Sequence, residues 1–289
     1  MANEHEFLNF PIHARLPSFP RYHVPGPRAA EGWPTKDVGG ARWWPHNESQ
    51  MWSWILLFPL GLVAGVLTTL AGLGGGMLTI IALSLAFGPH VALAITAPAL
   101  LLGNAHRFWL HRRHVDVPLT RALVYGAVPG AIAGGLVAVR IPVWLIDGML
   151  AAVTLLAVLR SLGVAKWTPP RRAYPPYGAL VGWVNATSGG AGILLSPALL
   201  AAGLSGEIYI GTTSAIATFM HAGRLLAYGV QGMVTRETLA RSGVILAALI
   251  LGNLLGDKLR PRFNAEGRRK LELSTLVVCV VLAIAGLRG

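Results

Sequence analysis

The hydrophobic residues of this chain fall into long, nearly charge-free runs. Between Glu48 and Arg107 the sequence has no Lys, Arg, Asp or Glu, and a second such stretch extends from Ala173 to Gly206. Each stretch is longer than the roughly 20 apolar residues that a helix needs to cross a bilayer. The pattern therefore predicts an all-α polytopic membrane protein.

An internal repeat divides these runs into two halves. Shifting the sequence by 117 residues aligns several pairs without a gap, among them Gly61 with Gly178, Gly72 with Gly189, Gly75 with Gly192, Thr96 with Thr213, Asn104 with His221 and Arg107 with Arg224. Each half is then predicted to contain five apolar elements. These are 52–71, 76–87, 90–110, 119–139 and 141–162 in the first half, and 177–187, 192–203, 207–228, 239–256 and 269–287 in the second.

Two glycine-rich segments, LAGLGGGML and SGGAGILL, occupy equivalent places in the two halves. The elements 76–87, 177–187 and 192–203 beside them are too short to span, because about 11 helical residues reach only some 16 Å of a ~30 Å hydrocarbon core. Short helices separated by a glycine break favour re-entrant hairpins.

Loop charges predict the orientation. If each half makes an odd number of passes, the basic segments near Arg112, near Arg171 and between Lys258 and Lys270 share one side. Positively charged loops are usually cytoplasmic, so the N-terminus is expected outside and the two halves are expected to be inverted repeats. Arg236 falls on the outer side, against this trend.

The predicted organisation is a loosely ordered N-terminal tail at 1–50, a first transmembrane repeat at 51–163, a basic cytoplasmic linker at 164–176 and a second transmembrane repeat at 177–289. The formal net charge is +12, but only 12% of residues are charged and the basic ones cluster between apolar runs. The expected partners are therefore a lipid bilayer and a small anion, and not nucleic acid. No cofactor and no metal site are expected, and a homo-oligomer is left open.

The sequence resembles the sulfite exporter TauE/SafE family, also called the toluene-sulfonate uptake permeases, over roughly residues 55–287. The resemblance is carried by GLVAGVLTTLAGLGGGML with TAPALLLGNAHRF, and by GALVGWVNATSGGAGILLSPALLAAGLS with GTTSAIATFMHAGRL. It implies a multi-pass protein of the bacterial inner membrane that transports small sulfur-containing anions such as sulfite, sulfonates, sulfoacetate or thiosulfate, with proton coupling often suspected.

The glycine breaks are candidate anion contacts. The first N–H groups of a restarted helix are unpaired and lie at the positive end of its dipole, so an oxyanion could approach them where no side chain intervenes. The candidate glycines are Gly72, Gly74, Gly75, Gly76, Gly189, Gly190 and Gly192. The alternative is that small residues serve close helix packing.

Side chains near the breaks complete the hypothesis. Arg107 and Arg224 could pair with a sulfur oxyanion, the alternative being that they extend to the membrane surface. The neutral candidates are Thr96, Asn104, Asn185, Ser188, Thr213, Ser214 and His221, each of which could instead be an ordinary interhelical polar group. Asp147 is the candidate proton carrier, or alternatively a solvated residue at a helix start.

Other functional classes remain open at this stage. A passive anion channel would use the same charges, and a membrane enzyme or assembly protein is the alternative from a different class. The glycine-rich segment GLGGG lacks the Lys and Ser/Thr of a phosphate-binding P-loop, and the apolar runs contain few acid–base groups. An enzyme is therefore not expected.

Overall fold

The computed structural model describes residues 48–71, 75–165 and 167–286. Within these ranges the chain forms ten α-helices and no strand. They are α1 (Glu48–Ala71), α2 (Gly75–Phe87), α3 (Pro89–Leu110), α4 (Val117–Ala138), α5 (Val143–Ser161), α6 (Tyr174–Thr187), α7 (Ala191–Ala201), α8 (Gly206–Val230), α9 (Arg236–Leu259) and α10 (Ala265–Gly286). The prediction of an all-α fold with ten helical elements is confirmed.

Local sequence explains several helix ends. Asp116 precedes α4 and its carboxylate accepts the Leu119 N–H at 2.9 Å, while Thr235 and Thr238 form a reciprocal capping box at the start of α9. The start of α6 lies at Tyr174, three residues before the predicted start. Two prolines follow it, and proline is tolerated in a first helical turn because the N–H there has no intrahelical acceptor.

The predicted tail at 1–50 lies outside the described residues except for its last three, which already belong to α1. The predicted linker at 164–176 includes Lys166, which also lies outside them, a short 3₁₀ turn at Arg171–Ala173 and the first turn of α6. The boundaries of the repeats themselves stay a prediction.

Among the described residues, four helical segments are long and apolar enough to cross a membrane: Pro89–Leu110, Val117–Ala138, Val143–Ser161 and Arg236–Arg262. Helices α2, α6 and α7 have 13, 14 and 11 residues, so all three are short as predicted, with α6 longer than predicted by its three first residues. Large apolar side chains also face outward, including Leu56 at 66% exposure and Val281 at 61%. An outer surface of this kind suits contact with lipid.

Glycines bring helices from the two halves into close parallel contact. A Cβ added to Gly61 would lie 2.8 Å from the Cβ of Ala248, and one added to Gly65 would lie 2.9 Å from the Cα of Gly252. The residue numbers at these contacts increase together along both helices, so α1 and α9 run parallel. Helices α4 and α6 also run parallel, through Gly130 against Ala179 and Gly134 against Trp183.

Helices α3 and α8, the third elements of the two halves, run antiparallel. The side chain of Arg107 near the end of α3 reaches Ser214 near the start of α8, whereas Arg224 reaches Leu93 near the start of α3. Opposite directions for equivalent helices are what an inverted repeat requires, and the packing of α1 on α9 mirrors that of α6 on α4. Inversion across a membrane stays a prediction that these directions support.

Candidate functional site

A small cavity lies between the two halves, at the level of both helix breaks. It has an open volume of about 80 Å³ and is lined from α1, α2, α3, α6, α7, α8 and α9. A single water needs roughly 10–15 Å³ by this kind of measure, so the space suits several waters or one small oxyanion. We call this space the central cavity.

Eight of the predicted site residues line the central cavity: Gly76, Asn104, Arg107, Asn185, Gly190, Gly192, Thr213 and His221. Residues related by the 117-residue shift face it in pairs. Asn104 is matched by His221, and Thr68 on α1 is matched by Asn185 on α6. The cavity is thus built from corresponding positions of both repeats.

The break between α6 and α7 depends on glycine. Gly189 and Gly190 have φ angles of +81° and +75°, in the left-handed region that residues with a Cβ rarely adopt. Gly190 is the N-cap of α7 and lines the cavity together with Gly192, so the positive end of that helix lies at the cavity wall.

The other break is only partly described. Gly72 and Gly74 lie outside the described residues. Gly76 lines the central cavity, but Gly75 faces α1, where an added Cβ would meet the Thr68 hydroxyl and the Ala64 carbonyl. Close packing of α2 on α1 therefore accounts for Gly75 without a ligand.

Arg107 places a cation at the cavity wall. The residue is 3% exposed, and its guanidinium donates to the Ser214 hydroxyl at 2.6 Å, the Asn104 side-chain oxygen at 3.0 Å and the Thr68 carbonyl at 3.1 Å. A guanidinium has five N–H groups, so two remain beyond these three bonds. Among the described residues no carboxylate lies within ion-pair distance of it.

Arg224 is the second buried cation, at 0% exposure. Its Nη2 donates to the Leu93 carbonyl at 2.8 Å and the Thr96 hydroxyl at 3.0 Å, and its guanidinium lies 5.1 Å from the Tyr228 ring centroid. Within the described part of the chain, Nε and Nη1 have no hydrogen-bond partner and no carboxylate pairs with it. Arg224 does not line the cavity, but His221, one turn earlier, does.

The remaining candidates lie behind the cavity wall or apart from it. Thr96 and Ser214 each bind an arginine, so they hold the two guanidinium groups in place. Ser188 ends α6 and its hydroxyl donates to the Val184 carbonyl at 3.2 Å. Asp147 lies in the second turn of α5 and is not part of the cavity wall.

Two polar residues of the wall are absent from the predicted set. Asn253 donates to the Gly103 carbonyl and accepts from the Thr69 hydroxyl, each at 3.1 Å, which joins α9 to α3 and α1. Thr68 offers its carbonyl to Arg107. The repeat could have signalled Thr68, because Asn185 is its equivalent and adjoins the second break, but the equivalent of Asn253 is the apolar Leu136.

A protein-family model described as Sulfite exporter TauE/SafE matches residues 57–286. The chain belongs to the sulfite exporter TauE/SafE family. Membership covers all ten helices apart from the first residues of α1, so the transporter character of the family and the membrane location extend to the whole described bundle. No curated protein and no solved structure matches the chain.

Membership of the sulfite exporter TauE/SafE family confirms the resemblance seen in the sequence. It supports a role in membrane transport of a sulfur-containing anion, and it assigns no residue to that role. The residues that carry the chemistry must therefore be argued from the central cavity.

Proposed function

We propose that the chain is a multi-pass secondary transporter of the bacterial inner membrane that carries a small sulfur-containing anion of the sulfite, sulfonate, sulfoacetate or thiosulfate class. The anion binds in the central cavity. The observation that carries this proposal is Arg107, a buried guanidinium that faces the cavity and has no carboxylate partner among the described residues.

An unpaired buried cation is costly, since removing a charge from water costs several kcal/mol unless an opposite charge and hydrogen bonds replace the lost solvation. Only neutral groups accept hydrogen bonds from Arg107 among the described residues, and the same is true of Arg224 on α8. Two such cations in one bundle favour an anionic ligand. A guanidinium also matches the paired oxygens of sulfite or a sulfonate.

Neutral donors complete the site. The Asn185 Nδ2 and the His221 Nδ1 are buried and have no hydrogen-bond partner within the described residues, and both side chains belong to the cavity wall. Gly190 and Gly192 at the start of α7 line the same space, at the positive end of that helix. An oxyanion bound to Arg107 would satisfy donors that otherwise remain unpaired in an apolar bundle.

The two hairpins suggest how the site could be exposed alternately to the two sides. Helices α1 and α6 run in opposite directions, because α1 is parallel to α9 and α3, whereas α6 is parallel to α4 and α8. We include proton coupling in the proposal, with Asp147 as the candidate carrier. Since Asp147 is not in the cavity wall, coupling would act through helix movement and not through direct contact with the anion.

Flux into proteoliposomes tests the proposal with sulfite, thiosulfate, sulfoacetate and chloride, with and without a proton gradient. Arg107→Gln should lower sulfur-anion flux at least about tenfold, since a hydrogen bond to a charged group contributes roughly 1.5–3 kcal/mol. Arg241→Gln is the matched control. Arg241 is also buried, but it forms an ion pair with Glu237 at 2.5 Å and does not line the cavity.

Unchanged flux in Arg107→Gln would contradict the binding site. Flux that does not saturate and ignores the proton gradient would indicate a passive channel, and absence of flux for every anion would contradict transport. Saturable flux that follows the gradient supports the carrier.

A further inference from the structure

A second, larger cavity lies at the other end of α7. Its open volume is about 640 Å³, and it is enclosed by α5, α7, the start of α8, the first half of α10 and the segment after α5. We call it the wide cavity. The ends of α5 and α7 and the starts of α8 and α10 meet here, which is the end of the bundle that carries the predicted cytoplasmic basic segments.

One layer of side chains separates the two cavities. Ile193 on α7 lines both of them. One turn further along α7, the hydroxyl of Ser196 lies 2.6 Å from the hydroxyl of Tyr209 on α8, and both residues line the wide cavity. The Tyr209 carbonyl accepts a hydrogen bond from Thr213 at 2.7 Å, and Thr213 lines the central cavity.

The wide cavity has a positive balance of charge. Arg160 from α5 and Arg269 from α10 line it, against the single carboxylate of Glu272. Neither arginine forms an ion pair with a described carboxylate. A cleft lined by one sign of charge raises the local concentration of the opposite ion, so this space attracts anions.

We propose that the wide cavity is the cytoplasmic vestibule of the anion pathway, and that the Ser196–Tyr209 hydrogen bond with Ile193 forms its closed inner gate. This inference rests on the proposed function, because a gate is needed only if the central cavity is the binding site. Arg160 and Arg269 attract the anion to the vestibule, and separation of α7 from α8 admits it to Arg107.

The backbone at both ends of α7 suits such a movement. Gly190 before the helix and Gly203 after it have φ angles of +75° and +78°, and an added Cβ at Gly203 would meet no atom within 4 Å. Hinges are often a few positions at helix ends that absorb large changes in φ and ψ. The 11-residue α7 can therefore pivot as a unit between two glycine joints.

Cysteine labelling tests the gate without any transported anion. The lone Cys279 is first replaced by alanine, and single cysteines are then placed at Leu200 in the vestibule wall and at Thr213 in the central cavity. An anionic and a cationic methanethiosulfonate reagent are applied to inside-out and right-side-out vesicles. Each labelling rate is measured in three backgrounds: Tyr209 unchanged, Tyr209→Phe and Tyr125→Phe. Tyr125→Phe is the control, because Tyr125 lies on α4 and is 79% exposed.

Leu200→Cys should react from the cytoplasmic side, faster with the anionic reagent, and Arg160→Gln with Arg269→Gln should remove that preference. Thr213→Cys should react from the same side roughly fivefold faster in the Tyr209→Phe background than with Tyr209 present, which is the effect of losing one hydrogen bond of about 1 kcal/mol. The Tyr125→Phe background should leave this rate unchanged.

The inference is overturned if Leu200→Cys reacts only from the outer side or without charge preference, or if Tyr209→Phe leaves the Thr213→Cys rate unchanged. Absence of anion flux in the protein without substitutions, together with the expected labelling pattern, would count against the proposed function alone. The two failures are thus distinguishable, because labelling reports access and flux reports transport.

Discussion

The two glycine-broken hairpins are equivalent in sequence but packed differently. Helix α2 lies tightly on α1 through Gly75 and also packs along α3 and α10. Its equivalent α7 makes fewer close backbone approaches to α5, α6 and α8, although most of its side chains are buried, and it borders the 640 Å³ wide cavity beside α5 and α10. The proposed gate assigns the movement to the α6–α7 hairpin and leaves the α1–α2 hairpin as the fixed wall.

The two hairpins also differ in what lies beside them. Helix α7 borders the wide cavity, whereas α2 packs along α1, α3 and α10. With the predicted orientation, the described conformation has its larger cavity toward the cytoplasm. Substitutions that act on one hairpin and spare the other test this difference.

The largest effect is expected at Gly75. Gly75→Ala places a Cβ against the Ala64 carbonyl, a backbone atom that cannot move aside, so folded protein should be lost in size-exclusion chromatography from detergent. Gly76→Ala is the control one residue later, where the nearest atom to an added Cβ is a methyl of Leu100 at 3.6 Å. Equal yields of the two variants would contradict a fixed α1–α2 wall.

A smaller effect is expected at the second break. Gly189→Ala combines a left-handed φ, which costs roughly 1–2 kcal/mol for residues with a Cβ, with contact against the Ile80 side chain of α2. Gly203 has a similar φ, but an added Cβ there would meet no atom within 4 Å. Gly203→Ala therefore measures the free-energy cost of the left-handed backbone alone. Thermal unfolding in detergent should rank Gly189→Ala below Gly203→Ala, and the opposite order would show that the two hairpins do not touch at Gly189.

The smallest effect compares equivalent residues of the two hairpins. Asn185→Leu removes a free donor from the central cavity and should weaken sulfite binding about tenfold, the lower end of the range for hydrogen bonds to charged groups. The Thr68 hydroxyl already donates to the Ala64 carbonyl at 2.6 Å, so Thr68→Val should change affinity less than about twofold. Calorimetric titration measures both, and equal losses would remove the distinction between the hairpins.

Helix existence and helix length could be predicted from the sequence because they depend on local apolar runs and on glycine breaks. The short α2, α6 and α7 were all expected on length alone, and the shift of 117 residues indicated that Asn104 and His221 correspond. The structure brings these two side chains to one cavity. Repeat symmetry was the informative signal, since it reports tertiary neighbours that a single run cannot.

Other features could not be read from local patterns. Gly75 and Gly76 are adjacent in sequence, but one packs against α1 and the other faces the cavity, and only the rotation of α2 decides which does which. Asn253 has no polar equivalent in the first half, so the repeat gave no reason to select it. The wide cavity depends on how α5, α7, α8 and α10 fit together in three dimensions, which residue types along the chain do not encode.

The exchange of partners between the halves affects how the protein is made. Helix α1 precedes the other described helices along the chain, yet the helix that it contacts most closely is α9, and the hydrogen bond that joins Thr69 to Asn253 spans 184 residues. During synthesis the glycine face of α1 therefore lacks its partner helix and is exposed to lipid until α9 has left the ribosome. Because α1 and α4 have their main partners in the other half, neither half should assemble by itself, and the two halves expressed as separate polypeptides should become protease-resistant only when both are present.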